Sequence, residues 1–403
     1  MAGTDAAAAA VVSTASVSGG QSAEPASGSP SPTASGAPLT RPQAQARCTA
    51  VLMAGLTRTE RAGQVLMIGV PAGSAGSAAT LATRYQVGGV FLRGRSTVSA
   101  TVLRRQLAAV QTASRRATGI PVHVAVDQEG GKVQTLSGAG FVTLPPARTQ
   151  GTWTTATLAA RTRAAAKALR AAGITLNLAP VADTVAVADR ASNPPIGRSA
   201  REYGSTPSAA AADVATVVTA SRAERLSTAA KHFPGLGRVR ANTDTSAAAV
   251  DAVTTARDTN LAPFTASIDS GTAMVMMSSA RYPKLDSKAI AAFSPAIATT
   301  LLRRDLHFTG VVVSDDLGNA KALASVPVGS RAVRFIGAGG DLVLSVNTAH
   351  APLMRTALLA EAKRSATFAR RLDEAATRVV AGKVAAGLIG CTAAQLAAAP
   401  VTG

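Results

Sequence analysis

The sequence predicts an α/β fold: one (β/α)8 barrel of the TIM type, preceded by a disordered tail. Three observations predict it. From Ala50 onward, eight short β-rich runs alternate with longer Ala/Leu/Arg helical patterns, as repeated strand–helix units require. Several of these runs are apolar almost throughout, which suits parallel strands covered on one face and packed inside. Polar residues stand where the runs end, the place where such a barrel carries its chemistry. An open doubly wound sheet is the alternative. It wants a Gly-rich phosphate turn after the first strand, and Gly69, Gly73 and Gly76 there make no G-x-G-x-x-G.

The elements follow in order. Residues 1–46 are mainly Ala, Ser, Pro, Thr and Gly without periodicity and with few large apolar side chains. Such a segment cannot offset its ordering entropy, so it is expected to be a disordered tether or a signal remnant. No basic stretch precedes its Ala/Val run, so the start is a weak signal peptide as it stands. Residues 47–403 hold the barrel. The strands are expected at Val65–Val70, Val87–Leu92, Val122–Asp127, Ile174–Leu178, Ser227–His232, Ala273–Ser278, Gly310–Ser314 and Asp341–Ser345. Segments such as Val98–Ala117, Leu158–Ala172 and Pro207–Glu224 are long enough for crossover helices.

Composition narrows the class. The chain is 47% hydrophobic, enough for a sizeable core, but only 3% aromatic, so that core is built from Ala, Val, Leu and Ile. No apolar run is long enough to span a bilayer. The formal net charge of +19 invites a polyanion as neighbour. The arginines are scattered singly or in pairs and are not interleaved with stacking aromatics, which argues against nucleic acid. A solvated basic surface is the plainer reading, and an acidic cell wall would suit it. The four histidines and two cysteines lack ligand spacing, so no metal and no cofactor is expected. Cys48 and Cys391 lie just outside the two ends of the ordered pattern. In an oxidising compartment they would close one disulfide; otherwise they are two unpaired small hydrophobes, and the sequence leaves both open. Arg47 stands before Cys48 where lipid attachment wants a small residue.

The chemistry collects on one rim. The third strand ends in Asp127 and runs on as Asp127-Gln128-Glu129-Gly130-Gly131-Lys132. The fourth leads to Asp183, the fifth ends Lys231-His232-Phe233-Pro234-Gly235, and the seventh ends Ser314-Asp315-Asp316-Leu317. One Asp after a strand is an ordinary helix cap. Several carboxylates and a Lys-His pair converging on one rim are harder to explain that way.

These residues carry a resemblance. Val126–Gln134, Asn177-Leu178-Ala179-Pro180-Val181-Ala182-Asp183, Lys231–Gly235, Val275-Met276 and Gly310–Leu317 resemble, in order, the motifs of glycoside hydrolase family 3. The likeness is to its single-barrel bacterial β-N-acetylglucosaminidase (β-hexosaminidase) branch, and it covers nearly all of Thr57 to about Ile389. The resemblance implies a retaining hydrolase that releases terminal β-linked N-acetylglucosamine, as from peptidoglycan fragments. Asp315 then matches the nucleophile, with Asp316 as its rival, and a carboxylate suits an oxocarbenium-like transition state. Asp127, Lys231 and His232 match groups that hold the sugar. Arg201, in Arg201-Glu202-Tyr203-Gly204, matches another sugar contact, and Met276 lines the pocket floor. The usual Arg of the third-strand motif is Lys132 here, which keeps the charge and loses the planar fork.

The loop after the fifth strand departs from the family. Where relatives place an Asp and a catalytic His, this chain has Asn242 and Asp244, and no His lies in the loop. Two readings follow. Asp244 is the proton donor, with a pKa raised by burial and by the negative nucleophile. Otherwise the acid is lost, the loop is an ordinary turn, and the protein is a catalytically impaired sugar-binding cell-wall protein. The retained pocket contacts favour activity. A β-glucosidase-type member is the other alternative; that type draws its acid from a domain after the barrel, and this chain stops about a dozen residues past its last expected helix. The expected product is a secreted or envelope-bound monomer, tethered or lipoprotein-like, acting on a carbohydrate.

Overall fold

The computed structural model describes residues 39–397. The expected tail lies outside these for residues 1–38. Its boundary at 46 is corrected: the first helix is Arg41–Ala54. Thr40 caps it, its backbone N–H donating to Gln43 Oε1 at 2.9 Å, and Pro42 sits in the first turn, where a missing N–H costs nothing.

All eight expected strands form. They are β1 (Leu66–Pro71), β2 (Gly89–Arg93), β3 (His123–Val126), β4 (Leu176–Asn177), β5 (Ser227–Phe233), β6 (Met274–Met277), β7 (Val311–Ser314) and β8 (Val343–Ser345). Each pairs in parallel with its sequence neighbour, and β1 also pairs with β8, Met67 opposite Leu344. A bridge between Val313 and Leu342 joins β7 to β8 and closes the barrel. The crossover helices named from the sequence appear as Ala100–Thr118, Thr155–Ala171 and Pro207–Ala223. Ser99, Thr154 and Thr206 cap them by accepting from backbone N–H groups three residues on.

The strand period of two divides the core into two shells. Leu66, Ile68 and Val70 of β1 pack outward under the helices, as do Val124, Val275, Val312 and Val343. Met67, Phe91, Ala125, Ala229, Met274, Met276, Val313 and Leu344 point inward and fill the barrel. The lower end of the interior is polar: buried Thr228 and Thr272 share a hydrogen bond of 2.9 Å, and His123 Nδ1 lies 3.4 Å from Thr175 Oγ1. Lys383, wholly buried, donates to Gln64 Oε1 at 2.6 Å. Burial brings its pKa down to about 7. His123 is lowered to about 3, by burial first and then by the nearby Lys383 and Arg170, so it stays neutral.

Cys48 and Cys391 form a disulfide, Cα–Cα 5.5 Å. It ties the first helix to the segment after the last long helix, Ala366–Ala385, and decides between the two readings left open above. Among the described residues, no helix is long and apolar enough to cross a membrane.

Candidate active site

The inward positions at the C-terminal ends of the strands make the floor of a cavity of about 240 Å³, where Phe91, Leu178, Met276 and Leu344 meet. Around this apolar floor stand all the site residues expected from the sequence: Asp127, Arg201, Lys231, His232, Asp244, Met276 and Asp315. Lys132 is not among them. Its side chain is exposed outside the cavity, so the substitution there changes nothing in the pocket wall.

Four charged groups form one linked cluster, three of them, Asp127, Arg201 and Lys231, lining the cavity. Lys231, 2% exposed, donates to Asp127 Oδ1 at 2.6 Å and lies 2.7 Å from Glu129 Oε1. Arg201 grips the same Glu129 with two bonds, Nε to Oε2 at 2.8 Å and Nη2 to Oε1 at 2.7 Å. Its Nη1 donates to the carbonyl of Pro195 at 2.9 Å. Burial alone would raise the Glu129 carboxyl; the charges and hydrogen bonds of Arg201 and Lys231 override it and hold the pKa at about 2. Burial would likewise lower Lys231, and Asp127 with Glu129 raise it instead. Two cations and two anions therefore neutralise one another, as buried charges must. Glu129 reaches this position because Gly130 and Gly131 turn the chain back at once. A Cβ on Gly130, φ 104°, would stand 2.4 Å from the carbonyl of Pro145.

His232 follows Lys231 directly, yet both side chains reach the cavity. The β5–β6 register shifts between Lys231 and Phe233, which breaks the usual alternation of faces. Asp183 fixes the ring: Oδ2 lies 2.7 Å from His232 Nδ1, while Oδ1 accepts from the backbone N–H groups of His232 at 3.2 Å and Leu236 at 2.7 Å. One buried carboxylate thus orients both the imidazole and the start of the following loop.

The two neighbouring carboxylates after β7 are engaged very differently. Asp316 accepts from the backbone N–H groups of Gly318 (2.8 Å), Val346 (3.1 Å) and Asn319 (3.3 Å) and so closes the turn after β7. Among the described residues, the Asp315 side chain accepts from Asp316 N–H alone, at 2.8 Å through Oδ1. Both line the cavity, and of the two Asp315 is the less engaged by the backbone.

Asp244 arrives on the loop after β5. Its own N–H donates to Asn242 Oδ1 at 2.9 Å, a tight Asx turn. The loop then leans on the chain after β7: Ala322 N–H donates to the Thr243 carbonyl at 3.2 Å and Lys321 N–H to that of Asp244 at 3.3 Å. The side chain stands at the cavity mouth with solvent on its outer side. Desolvation, then the charge of Asp315, raises its pKa to about 6, against the smaller pull of His232. The departure in this loop thus brings a carboxyl with a raised pKa into the same cavity as Asp315.

Two residues of the site carry no role in the sequence reading, Glu129 and Asp183. Both were visible in motifs that end strands. Their part, bracing Arg201, Lys231 and His232, depends on partners far along the chain and has no local signature. Chemically, the cavity offers donors and acceptors for hydroxyl groups on one wall. On the other it offers a surplus of carboxylates that favours positive charge developing on a bound molecule.

The profile of the glycosyl hydrolase family 3 N terminal domain matches residues 57–381. A Beta-hexosaminidase of Stenotrophomonas maltophilia (strain K279a) is 35% identical over 295 residues, 71% of this chain and 83% of its own length. One from Xanthomonas campestris pv. campestris (strain B100) is 33% identical over 331 residues, covering 78% and 90%. The crystal structure of Beta-N-acetylhexosaminidase from Beutenbergia cavernae DSM 12333 superposes with a TM-score of 0.78 at 43% identity, covering 82% of this chain and 99% of that one.

Proposed function

The chain belongs to glycosyl hydrolase family 3, and on that footing we propose that it is a retaining β-N-acetylhexosaminidase that removes terminal β-linked N-acetylglucosamine. The observation that carries the reading is the pair Asp315 and Asp244 in one cavity, with Asp244 raised to about 6.

In the first step an Asp315 oxygen attacks the anomeric carbon. The bond from that carbon to the aglycone oxygen breaks, and Asp244 gives its proton to the departing oxygen. The product is an ester between sugar and Asp315. In the second step Asp244, now a carboxylate, takes a proton from water. The resulting hydroxide attacks the anomeric carbon, and the ester bond returns its electrons to Asp315. Asp127, Lys231, Arg201 and His232 hold the sugar hydroxyls during both displacements, and Glu129 and Asp183 keep these donors in place. Met276 and Phe91 lie beneath the ring.

We extend the reading to cell-wall fragments as substrates and to an extracytoplasmic, monomeric protein. The Cys48–Cys391 bridge supports an oxidising compartment, and the +19 charge suits an anionic wall.

Turnover of an aryl β-N-acetylglucosaminide and of a β-linked N-acetylglucosamine disaccharide by wild type, Asp315→Asn and Asp244→Asn tests the assignment. An activated aryl leaving group needs little protonation. Asp244→Asn should therefore still form the glycosyl-enzyme from the aryl compound and lose far more rate on the disaccharide, while Asp315→Asn is inactive on both. No turnover by wild type on either substrate would move the protein to the sugar-binding class.

A further inference from the structure

At the other end of the barrel, the starts of β5, β6 and β7 border a second cavity of about 690 Å³, larger than the catalytic one. Arg41, Arg170, Arg222, Arg225 and Arg378 line it, and among the described residues no carboxylate does. Helix capping explains part of this. Arg170 donates to the carbonyl of Ile174 at 3.3 Å and Arg222 to that of Ser270 at 2.6 Å, and cations are favourable at helix C-termini.

Capping does not explain the whole. The helices Thr155–Ala171, Pro207–Ala223, Ala262–Asp269 and Ala366–Ala385 end beside the cavity. Each C-terminus contributes about −0.5 charge, less in sum than the guanidiniums present. Arg378 shares its one carboxylate partner among the described residues, Asp341, with Arg303 and Arg371. Arg225 makes no ion pair among the described residues and sits on a left-handed backbone, φ 57°. Arg170 is lowered by burial and then by the like charge of Arg225. Gly271, φ 81°, makes room for Arg222: a Cβ there would stand 2.7 Å from its guanidinium. Below the cations the surface is apolar, formed by Leu226, Ile268 and Phe308.

We propose that this cavity binds a phosphorylated small molecule, its phosphate gripped by Arg222 and Arg225 and its body resting on the apolar floor. Guanidinium forks match phosphate oxygens two at a time, and the volume falls in the usual range for small-molecule sites. The site is separate from the hydrolytic one and does not depend on which residue there donates the proton.

Isothermal titration with inorganic tripolyphosphate, at about physiological ionic strength so that diffuse attraction is screened, tests it. Wild type binds saturably. The pair Arg222→Gln/Arg225→Asn binds at least about tenfold more weakly, as loss of two charge-assisted contacts requires, while its aryl-glycoside turnover is unchanged. Arg104→Gln/Arg105→Gln, on an exposed helix face away from the cavity, removes the same charge and keeps wild-type affinity. Arg225→Asn alone guards against misfolding, since Asn tolerates the left-handed backbone, and it too binds more weakly. Absence of saturable binding to wild type, equal loss in both pairs, or wild-type affinity in Arg225→Asn would each overturn the proposal.

Discussion

A carboxyl near pH 6 ties the chemistry to a measurable limb. Asp244 must carry its proton to act as a donor, and desolvation with the Asp315 charge lifts its pKa to about 6. Disaccharide turnover should therefore fall as pH rises through about 6, and the residual disaccharide turnover of Asp244→Asn should lack that limb. A wild-type profile flat from pH 5 to about 8 on the disaccharide would contradict the role. Glu129 offers a second test, because it is the common partner of Arg201 and Lys231. Glu129→Gln leaves two buried cations short of an anion, and chemical denaturation should show a loss of roughly 3–5 kcal/mol together with a raised KM. The pH sign follows from its depressed pKa. Its contribution is fully present above the usual 4.5 and is lost as pH falls towards about 2, so the difference between wild type and Glu129→Gln should shrink over that interval. At this scale the sequence was legible where a residue type announces its chemistry at a strand end, as at Asp315 or Lys231. It was silent on Glu129 and Asp183 as braces, because bracing is a relation between distant positions. The resemblance favours Asp315 over Asp316, and the backbone N–H groups that engage Asp316 are consistent with that choice.

The loop after β5 is the element that decides whether Asp244 can work. Asn193, 1% exposed, donates to the carbonyls of Leu236 (2.8 Å), Gly237 (3.1 Å) and Val239 (2.8 Å). Gly237 passes so close to Thr184 that a Cβ would stand 1.8 Å from its carbonyl oxygen. Asn193→Ala should cost about 1–3 kcal/mol of stability through unpaired carbonyls. It should also lower disaccharide kcat more than aryl turnover, because proton delivery is what the loop positions. Equal losses on the two substrates would make the loop merely structural. Strands and crossover helices were readable because the periods of 2 and 3.6 and the Ser/Thr caps are local signals. β4 shortens to Leu176–Asn177, since the chain beyond it turns toward Asp183. Thr40, Pro42 and Gln43 mark the start of the Arg41–Ala54 helix, but the Ala/Ser/Pro-rich composition upstream runs into them and hides that local signal.

On the scale of the molecule, one covalent link and one ring closure hold the ends together. The Cys48–Cys391 bridge spans 343 positions, and closing so long a loop should be worth roughly 2–5 kcal/mol. Cys48→Ser/Cys391→Ser should melt earlier than wild type by calorimetry while its turnover at room temperature is unchanged; an unaltered melting temperature would show that barrel closure alone secures the ends. The two ends also differ chemically: carboxylates and cations share the upper cavity, while among the described residues the lower one has arginines and no carboxylate. The central claim concerns the upper end, and weighing the intact protein tests it most directly. Asp244→Asn exposed to an activated aryl β-N-acetylglucosaminide should gain the mass of one N-acetylhexosamine residue, and peptide mapping should place it on Asp315. No adduct, or an adduct on Asp316 or elsewhere, would contradict the account.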